Sequence, residues 1–344
     1  MIKTSLFAAE ERETKLDKLG DILQKLEEHV NFQALAEKID IAAPRPNRLR
    51  GGRPPFPTEL MVRIMVIQQL YNLSDEQLEF QLLDRLSFQR FAGLRESSQI
   101  PDRTTFWTFR ERLVTANASE TLFDAVQLQL DQQGYIARGG QMVDASLVPV
   151  PKQHLDKKEK ALIKSKALPV EWKPSKRRQK DSDATWTKKH GKSYYGYKVS
   201  ANVDNQYKLI RKIKVSTASE HDTRHLESVL DPMNTSKDLY ADKGYIDQAR
   251  EDKLKQQGLR VHIQRKGTKA KPLSKCQKNR NNRISKIRVR VEHAFAGIEQ
   301  MGGKKIRTIG LARATLQLNL KTATYNLKRL CSLKSCNIKP AFAF

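Results

Sequence analysis

Through the first 135 positions the apolar residues recur at helical spacing. Leu16, Leu19, Leu23, Leu26 and Val30 alternate steps of three and four, a heptad stripe too short for a coiled coil, which predicts first a helix packed on its own domain. PRPNRLRGGRPPFP follows, and its prolines and glycines predict an extended linker. Its Arg45, Arg48, Arg50 and Arg53 form a basic arm of the kind that lies along a DNA groove. Thr58 stands where it would cap a helix running through Met65 to Leu70, and Ser74 with Gln77 offers a capping box for a second, reaching about Phe91. Pro101 and Asp102 open a third over TTFWTFRERL. Short helices with tight turns predict a bundle that can include a helix-turn-helix, with Arg103, Thr104, Thr105 and Arg110 as its contact candidates.

From Gly139 the period changes. GQMVDASLVPV is a nearly continuous apolar run, as in a strand buried on both faces. Tyr195, Tyr197, Val199, Ala201 and Val203 alternate with polar or small residues, Asp204-Asn205 signals a turn, and YKLIRKIKVS returns as a second strand of a hairpin. A helix over 222–230, the strand DLYADKGY, a helix near 247–257 and the strand LRVHIQ follow. Ile284, Ile287, Val291, Phe295 and Ile298 mark an amphipathic helix that stops at Gly302-Gly303, and a last helix spans roughly 312–331. Hairpin strands followed by strands alternating with helices predict a mixed α/β sheet with helices on its faces, preceded by an all-α domain.

Charge assigns the two halves different tasks. The 344 residues carry 64 Lys and Arg against 38 Asp and Glu, a net +26 with a pI near 10. Residues 1–135 hold 17 basic and 20 acidic side chains, a balance of −3, whereas residues 136–344 hold 47 and 18, a balance of +29. A surplus of that size predicts a polyanionic partner, with duplex DNA the first candidate. It is concentrated in residues 152–198, with 15 basic and 5 acidic residues, and in residues 265–290, with 11 basic and none acidic. The start lacks the apolar core of a signal peptide, and no run of about 18 apolar residues occurs. Cys276, Cys331 and Cys336 have no metal-ligand spacing and read as reduced thiols. A soluble cytoplasmic protein without membrane contact is expected.

Acids inside apolar strands of so basic a region call for a reason, because carboxylates are seldom buried unless paired or metal-bound. Asp144 interrupts MVDASLV, Asp242 interrupts LYADKGY, and Glu292 lies on the helix that follows eleven basic residues. Singly, each has an ordinary role: Asp144 in an ion pair or turn, Asp242 in an Asp-Lys-Gly turn, Glu292 neutralising Arg288 one turn earlier. Together they can form an all-oxygen site for Mg²⁺, and two such ions can clamp the attacking and leaving oxygens of a phosphodiester displacement. Such chemistry needs no Ser-His or Cys-His pair, and His190, His221 and His293 stand alone. Trp186, Tyr194 and Tyr195 sit among lysines, placed either for core packing or for stacking on unpaired bases.

VDAS around Asp144, DATWTKKHGKSYYGYKV, LYADKGY and RVRVEHAFAGIEQMGGKKIR resemble the DDE transposases of bacterial insertion sequences, the insertion sequence five family in particular. The resemblance extends into GGRPPFP and the helical segments up to PDRTTFWTFRERL, so it covers most of the chain. It implies an RNase H-like core with an insertion after the first strand, Asp144, Asp242 and Glu292 as catalytic and metal-binding triad, and action on terminal inverted repeats. Two Mg²⁺ ions are implied, with Mn²⁺ as a substitute. In the wider clan a Tyr-Arg-Glu-Lys pattern marks the last catalytic helix; Arg288 and Glu292 fit it, while Ser285 replaces the Tyr and Glu299 the Lys.

The resulting expectations are specific. Residues 1–45 form a helical segment suited to dimerisation through the Leu16–Val30 stripe, 46–135 a helical domain of DNA-binding type, 136–333 the catalytic domain with a basic insertion at 152–190, and 334–344 a tail. Arg288 is the first candidate phosphate ligand, joined by Lys192, Lys198, Lys243, Arg283, Arg290, Lys304, Lys305 and the arm residues Arg48, Arg50 and Arg53. Double-stranded DNA, as transposon ends and target, is the expected partner, with a homodimer as the active complex. Two other readings stay open: a nuclease on the same fold that cuts without joining, and a decayed copy that only binds DNA.

Overall fold

The computed structural model describes residues 4–46, 51, 54–165, 167, 169–189, 191–268, 270–303 and 305–342. It divides into two compact units, Met1–Gly134 with Ala323–Phe344, and Tyr135–Thr322.

The first unit contains α1 (Ala8–Leu19), α2 (Ile22–His29), α3 (Phe32–Ala42), α4 (Thr58–Tyr71), α5 (Asp75–Asp84), α6 (Leu86–Ala92), α7 (Arg103–Thr115) and α8 (Thr121–Gln132). Helix α4 is buried nearly all round, which is why its apolar run is continuous. Arg63 interrupts that run without cost: its guanidinium pairs with Glu27 and Glu59 and lies 4.5 Å over the ring of Phe32. The heptad stripe is not one helix. Gly20 adopts φ +88° and closes α1, and the Asp21 side chain accepts from Leu23 N–H to start α2. Leu23, Leu26 and Val30 are consumed in this unit's own core while Leu19 is exposed, so the stripe offers no continuous dimerisation seam.

Two further helix boundaries differ from expectation for local reasons. Thr58 does not cap α4; its hydroxyl donates to Asp40 at 2.6 Å. The Ser74–Gln77 capping box forms, but the helix it starts ends at Asp84, where Gln89 of α6 donates to the carbonyls of Leu82 and Leu83.

The second unit is built on β1 (Gln141–Pro149), α9 (Lys157–Lys164), α10 (Pro174–Gln179), β2 (Thr185–Lys189), β3 (Lys192–Asp204), β4 (Ile210–Thr217), β5 (Asp238–Ala241), α11 (Gln248–Gln256), β6 (Arg260–Ile263) and α12 (Lys275–Gln300). Helix α13 (Leu311–Ser335) begins in this unit, and the division between the units falls within it. β3 pairs antiparallel with β1, β2 and β4, whereas β5 and β6 run parallel to β1, in the order β4-β3-β1-β5-β6. Three antiparallel strands continued by two parallel ones make the expected mixed sheet. Gly196 is required where β3 meets β1: at φ +153° a Cβ there would stand 2.3 Å from the carbonyl oxygen of Val148.

Alternation along β1 sorts its side chains to two cores. Val148 packs with Tyr197, Val199, Val215, Ala314 and Leu318 on one face, and Phe295 of α12 borders that cluster. Val143 packs with Leu226, Val229, Leu239, Ala241, Tyr245 and Leu254 on the other. The helix expected over 222–230 is instead two 3-10 turns, Asp222–His225 and Glu227–Val229. Its buried residues Leu226 and Val229 are three apart, the 3-10 repeat. The stretch between β1 and β3 is not all insertion loop, because β2 extends the sheet along residues 192–196.

Candidate active site

The parallel pairing of β1 and β5 decides where the two strand acids meet. Gln141 is level with Leu239 and Met142 with Tyr240. Pairing stops there, two residues before Asp144 on β1 and two before Asp242, which follows the last residue of β5. Adjacent strands lie about 4.8 Å apart. Asp144 therefore stands within β1, just past the point where its pairing with β5 ends, and Asp242 just past the carboxyl end of β5, the usual place for a site in an α/β sheet.

Each carboxylate is held by its own local structure. Asp242 caps the 3-10 turn Lys243–Tyr245, with Oδ1 accepting from Gly244 N–H at 2.8 Å. A Cβ on Gly244 would meet that oxygen at 2.9 Å, so a larger residue there would push the carboxylate aside. Asp144 accepts from Ala145 N–H at 2.8 Å through Oδ1 and from Arg288 Nη2 at 2.7 Å through Oδ2. Glu292, one turn beyond Arg288 on α12, is exposed.

Arg288 is hydrogen-bonded to Asp144 and feels the charge of the other two acids. Burial disfavours its charge, but Asp144, Asp242 and Glu292 together outweigh that and raise its pKa. Asp144 is shifted upward by burial; Arg288 opposes the shift and the neighbouring charge of Asp242 adds to it. Two residues not singled out in the sequence complete the surroundings. Asp222 receives Lys198 Nζ at 2.6 Å. Tyr245 is buried, its Oη has no hydrogen-bond partner, and its pKa is driven above the ordinary phenol value by burial and by Asp144, Asp222 and Asp242. The YADKGY motif was the available signal for Tyr245, hidden because a tyrosine beside a strand reads as core.

The expected phosphate contacts separate into spent and exposed cations. Lys198 is buried and committed to Asp222 and the Glu220 carbonyl, and Arg290 donates to the carbonyl and side chain of Asn205 in the β3–β4 turn. Both serve the fold, and Arg288 serves Asp144. In the helical unit Arg110 is held by Asp75 and Arg103 by Glu76. Arg45 of the arm pairs with Asp40. Lys192, Lys243, Arg283 and Lys305 are exposed. Arg48, Arg50, Arg53, Lys304 and His190 lie outside the described residues.

Of the aromatic candidates, Tyr195 is buried and donates to the Asp181 carbonyl, while Trp186 leans on it and is half exposed. Ser285, where the Tyr of the wider pattern was expected, accepts from Gln264 at 2.6 Å and ties α12 to the end of β6. Glu299 is exposed.

The donors suit a divalent cation in kind, since carboxylate oxygens are the ligands Mg²⁺ and Mn²⁺ prefer. Their placement is not that of a loaded site: among the described residues no group of three His, Cys, Asp or Glu is disposed to hold a metal ion. Arg288 also occupies one of the Asp144 oxygens.

Family models match both parts of the chain. A transposase DDE domain matches residues 137–327, more than half of the sequence. The chain belongs to the DDE transposases. A second model, also a transposase domain, matches residues 10–112. Among solved structures, the transposase is similar to a piggyBac transposase synaptic complex with hairpin DNA determined by cryo-electron microscopy. Identity is 12%, coverage is 93% of this chain and 77% of that one, and the TM-score is 0.44. Family membership makes this protein a DNA-cleaving and joining enzyme dependent on a divalent metal. Among the described residues no helix is long and apolar enough to cross a membrane.

Proposed function

We propose that this transposase binds the terminal inverted repeats of a bacterial insertion sequence, cleaves the DNA at its ends and transfers the freed ends to target DNA. Asp144, Asp242 and Glu292 are the catalytic carboxylates and hold the metal. The observation that supports the assignment is the Arg288 guanidinium, hydrogen-bonded to Asp144 and stabilised also by the charges of Asp242 and Glu292.

Bound there, two Mg²⁺ ions, or Mn²⁺ in their place, supply charge neutralisation at the attacking and leaving oxygens. The chain's own residues do the rest. Arg288 exchanges Asp144 for a DNA phosphate, since a guanidinium binds phosphate and carboxylate in the same fork geometry. Its departure exposes the Asp144 carboxylate at the moment substrate arrives. Lys243, Arg283, Lys192 and Lys305, all exposed, contribute phosphate contacts, joined by Lys304 and by the arm residues Arg48, Arg50 and Arg53. Residues 46–135 form the end-recognising domain and 136–333 the catalytic domain. A homodimer brings two ends together in the nucleoid.

Asp144→Asn tests the reading. The variant should bind DNA as the wild type does and lose Mg²⁺-dependent nicking and joining of DNA carrying the element's terminal repeats. Undiminished cleavage would refute the triad assignment. Wild-type cutting without joining would identify a nuclease, and wild-type binding without cutting a decayed copy.

A further inference from the structure

Helix α1 is held to the helical unit by charge, not by packing. None of its residues is buried, and Phe7 and Leu19, which could have anchored it, are exposed. A surface helix ordinarily docks by burying an apolar stripe. Here Glu10, Glu13 and Asp17, spaced three and four apart on one face, meet Arg90 and Arg95 instead. Arg63, Arg103, Arg110 and Arg112 of the same unit draw their acids from α2 to α5, each of which contributes buried residues to the core. The carboxylates on Arg90 and Arg95 come from α1, which contributes none.

Arg90 lies in the last turn of α6, Gly93 closes that helix at φ +69°, and Arg95 follows in the next turn of chain. Both guanidiniums approach the same oxygen, Glu13 Oε2, at 3.9 Å from Arg90 and 3.1 Å from Arg95. Two guanidiniums converging on one anion make a phosphate-binding arrangement. A carboxylate fills it poorly: the other oxygen, Oε1, is buried without a hydrogen-bond partner, which costs stability. Glu10 and Asp17 are about half exposed, so their pairs are weak and screened by salt. The helix can therefore lift away without opening the core.

We infer that Arg90 and Arg95 are a phosphate site for duplex DNA, and that α1 is a displaceable acidic cover lying on it. DNA displaces the cover because a run of phosphates outnumbers three carboxylates and releases counterions as it binds. The inference deepens the reading of residues 46–135 as the end-recognising domain and rests on it. It moves the contacts from Arg103 and Arg110, held by Glu76 and Asp75, to two arginines whose partners can leave.

Deleting α1 would also remove Arg12, Lys15 and Lys18, so the test neutralises the acids in the full-length protein. Binding to labelled duplex DNA of mixed sequence is followed by fluorescence anisotropy in EDTA over a range of salt, since phosphate contacts are independent of sequence. The Glu10→Gln, Glu13→Gln, Asp17→Asn triple variant should bind about tenfold more tightly at low salt, with a log–log salt slope steeper by about 1.8, the increment for two phosphates. Adding Arg90→Gln and Arg95→Gln should abolish that gain. The same two changes in the otherwise native chain, where α1 still covers the site, should alter affinity by less than about twofold. A general effect of net charge would instead be additive. No gain in the triple variant, or a gain that survives loss of both arginines, would overturn the inference. Hydrogen exchange on the full-length protein with and without DNA separates it from the reading beneath it. If DNA protects amides within residues 46–135 but the triple variant shows no gain, the end-recognising domain stands and the cover falls; if DNA protects none there, both fall.

Discussion

Replacing Arg288 by Met keeps most of the side-chain stem and removes the guanidinium that neutralises Asp144. The Arg288 and Asp144 side chains are 16% and 20% exposed and meet at 2.7 Å. Removing one partner of a fully buried pair costs about 3–5 kcal/mol and of an exposed pair about 0–1 kcal/mol, so this pair, mostly but not fully buried, places the loss near 2 kcal/mol at neutral pH. Across a chain of this size that is a fall of about 3 °C in Tm. The pH dependence gives the sharper test. Asp144 already has a folded pKa raised by burial, with Arg288 holding the shift in check, so the variant raises it further. A carboxylate with a raised folded pKa costs stability above its unfolded pKa of about 3.9, in full once the pH has passed the folded value. The deficit relative to wild type should therefore be complete at pH 8 and shrink as the pH falls toward 4, where a proton replaces the guanidinium. Thermal unfolding in EDTA at low salt from pH 4 to 8 measures it. A deficit independent of pH, or one that grows in acid, would refute the role given to this pair.

Two other substitutions separate fold from chemistry. Arg211 and Asp204 form a pair at 3.2 Å with side chains 3% and 0% exposed, so Arg211→Met should cost about 3–5 kcal/mol in urea unfolding by stranding a buried carboxylate. Gly244→Ala should leave stability within about 1 kcal/mol, since the new methyl meets only the mobile end of Asp242. Displacing that carboxylate by a fraction of an ångström should nevertheless lower metal-dependent cleavage by about ten- to a hundredfold, measured as single-turnover nicking.

Much of the architecture was legible because it is written in short-range pattern. The shift from helical to strand period at Gly139, the Ser74 capping box and the β3–β4 hairpin all depend on residues within a few positions of one another. Boundaries that depend on distant partners were not. Thr58 is drawn from its capping role by Asp40, eighteen residues away. The 222–230 segment tightens into 3-10 turns where Lys198 takes Asp222 and the two apolar residues must reach the core three apart.

The site divides along the same line. Asp144 and Asp242 stand out in the sequence because an acid in an apolar strand is expensive to bury, and the charge difference between −3 and +29 already separates a helical region from a polyanion-binding one. What no sequence pattern could reveal is which cation each acid would claim. Lys198, Arg288 and Arg290 read as phosphate ligands because they lie in or beside basic tracts. Folding pairs them with Asp222, Asp144 and Asn205, the last two at separations of 144 and 85 residues. Residue type and local period determine the elements and the kinds of group available, because those depend on near neighbours. Strand register and the helix laid across it decide which charges meet, because electrostatic pairing acts through space and takes no account of distance along the chain.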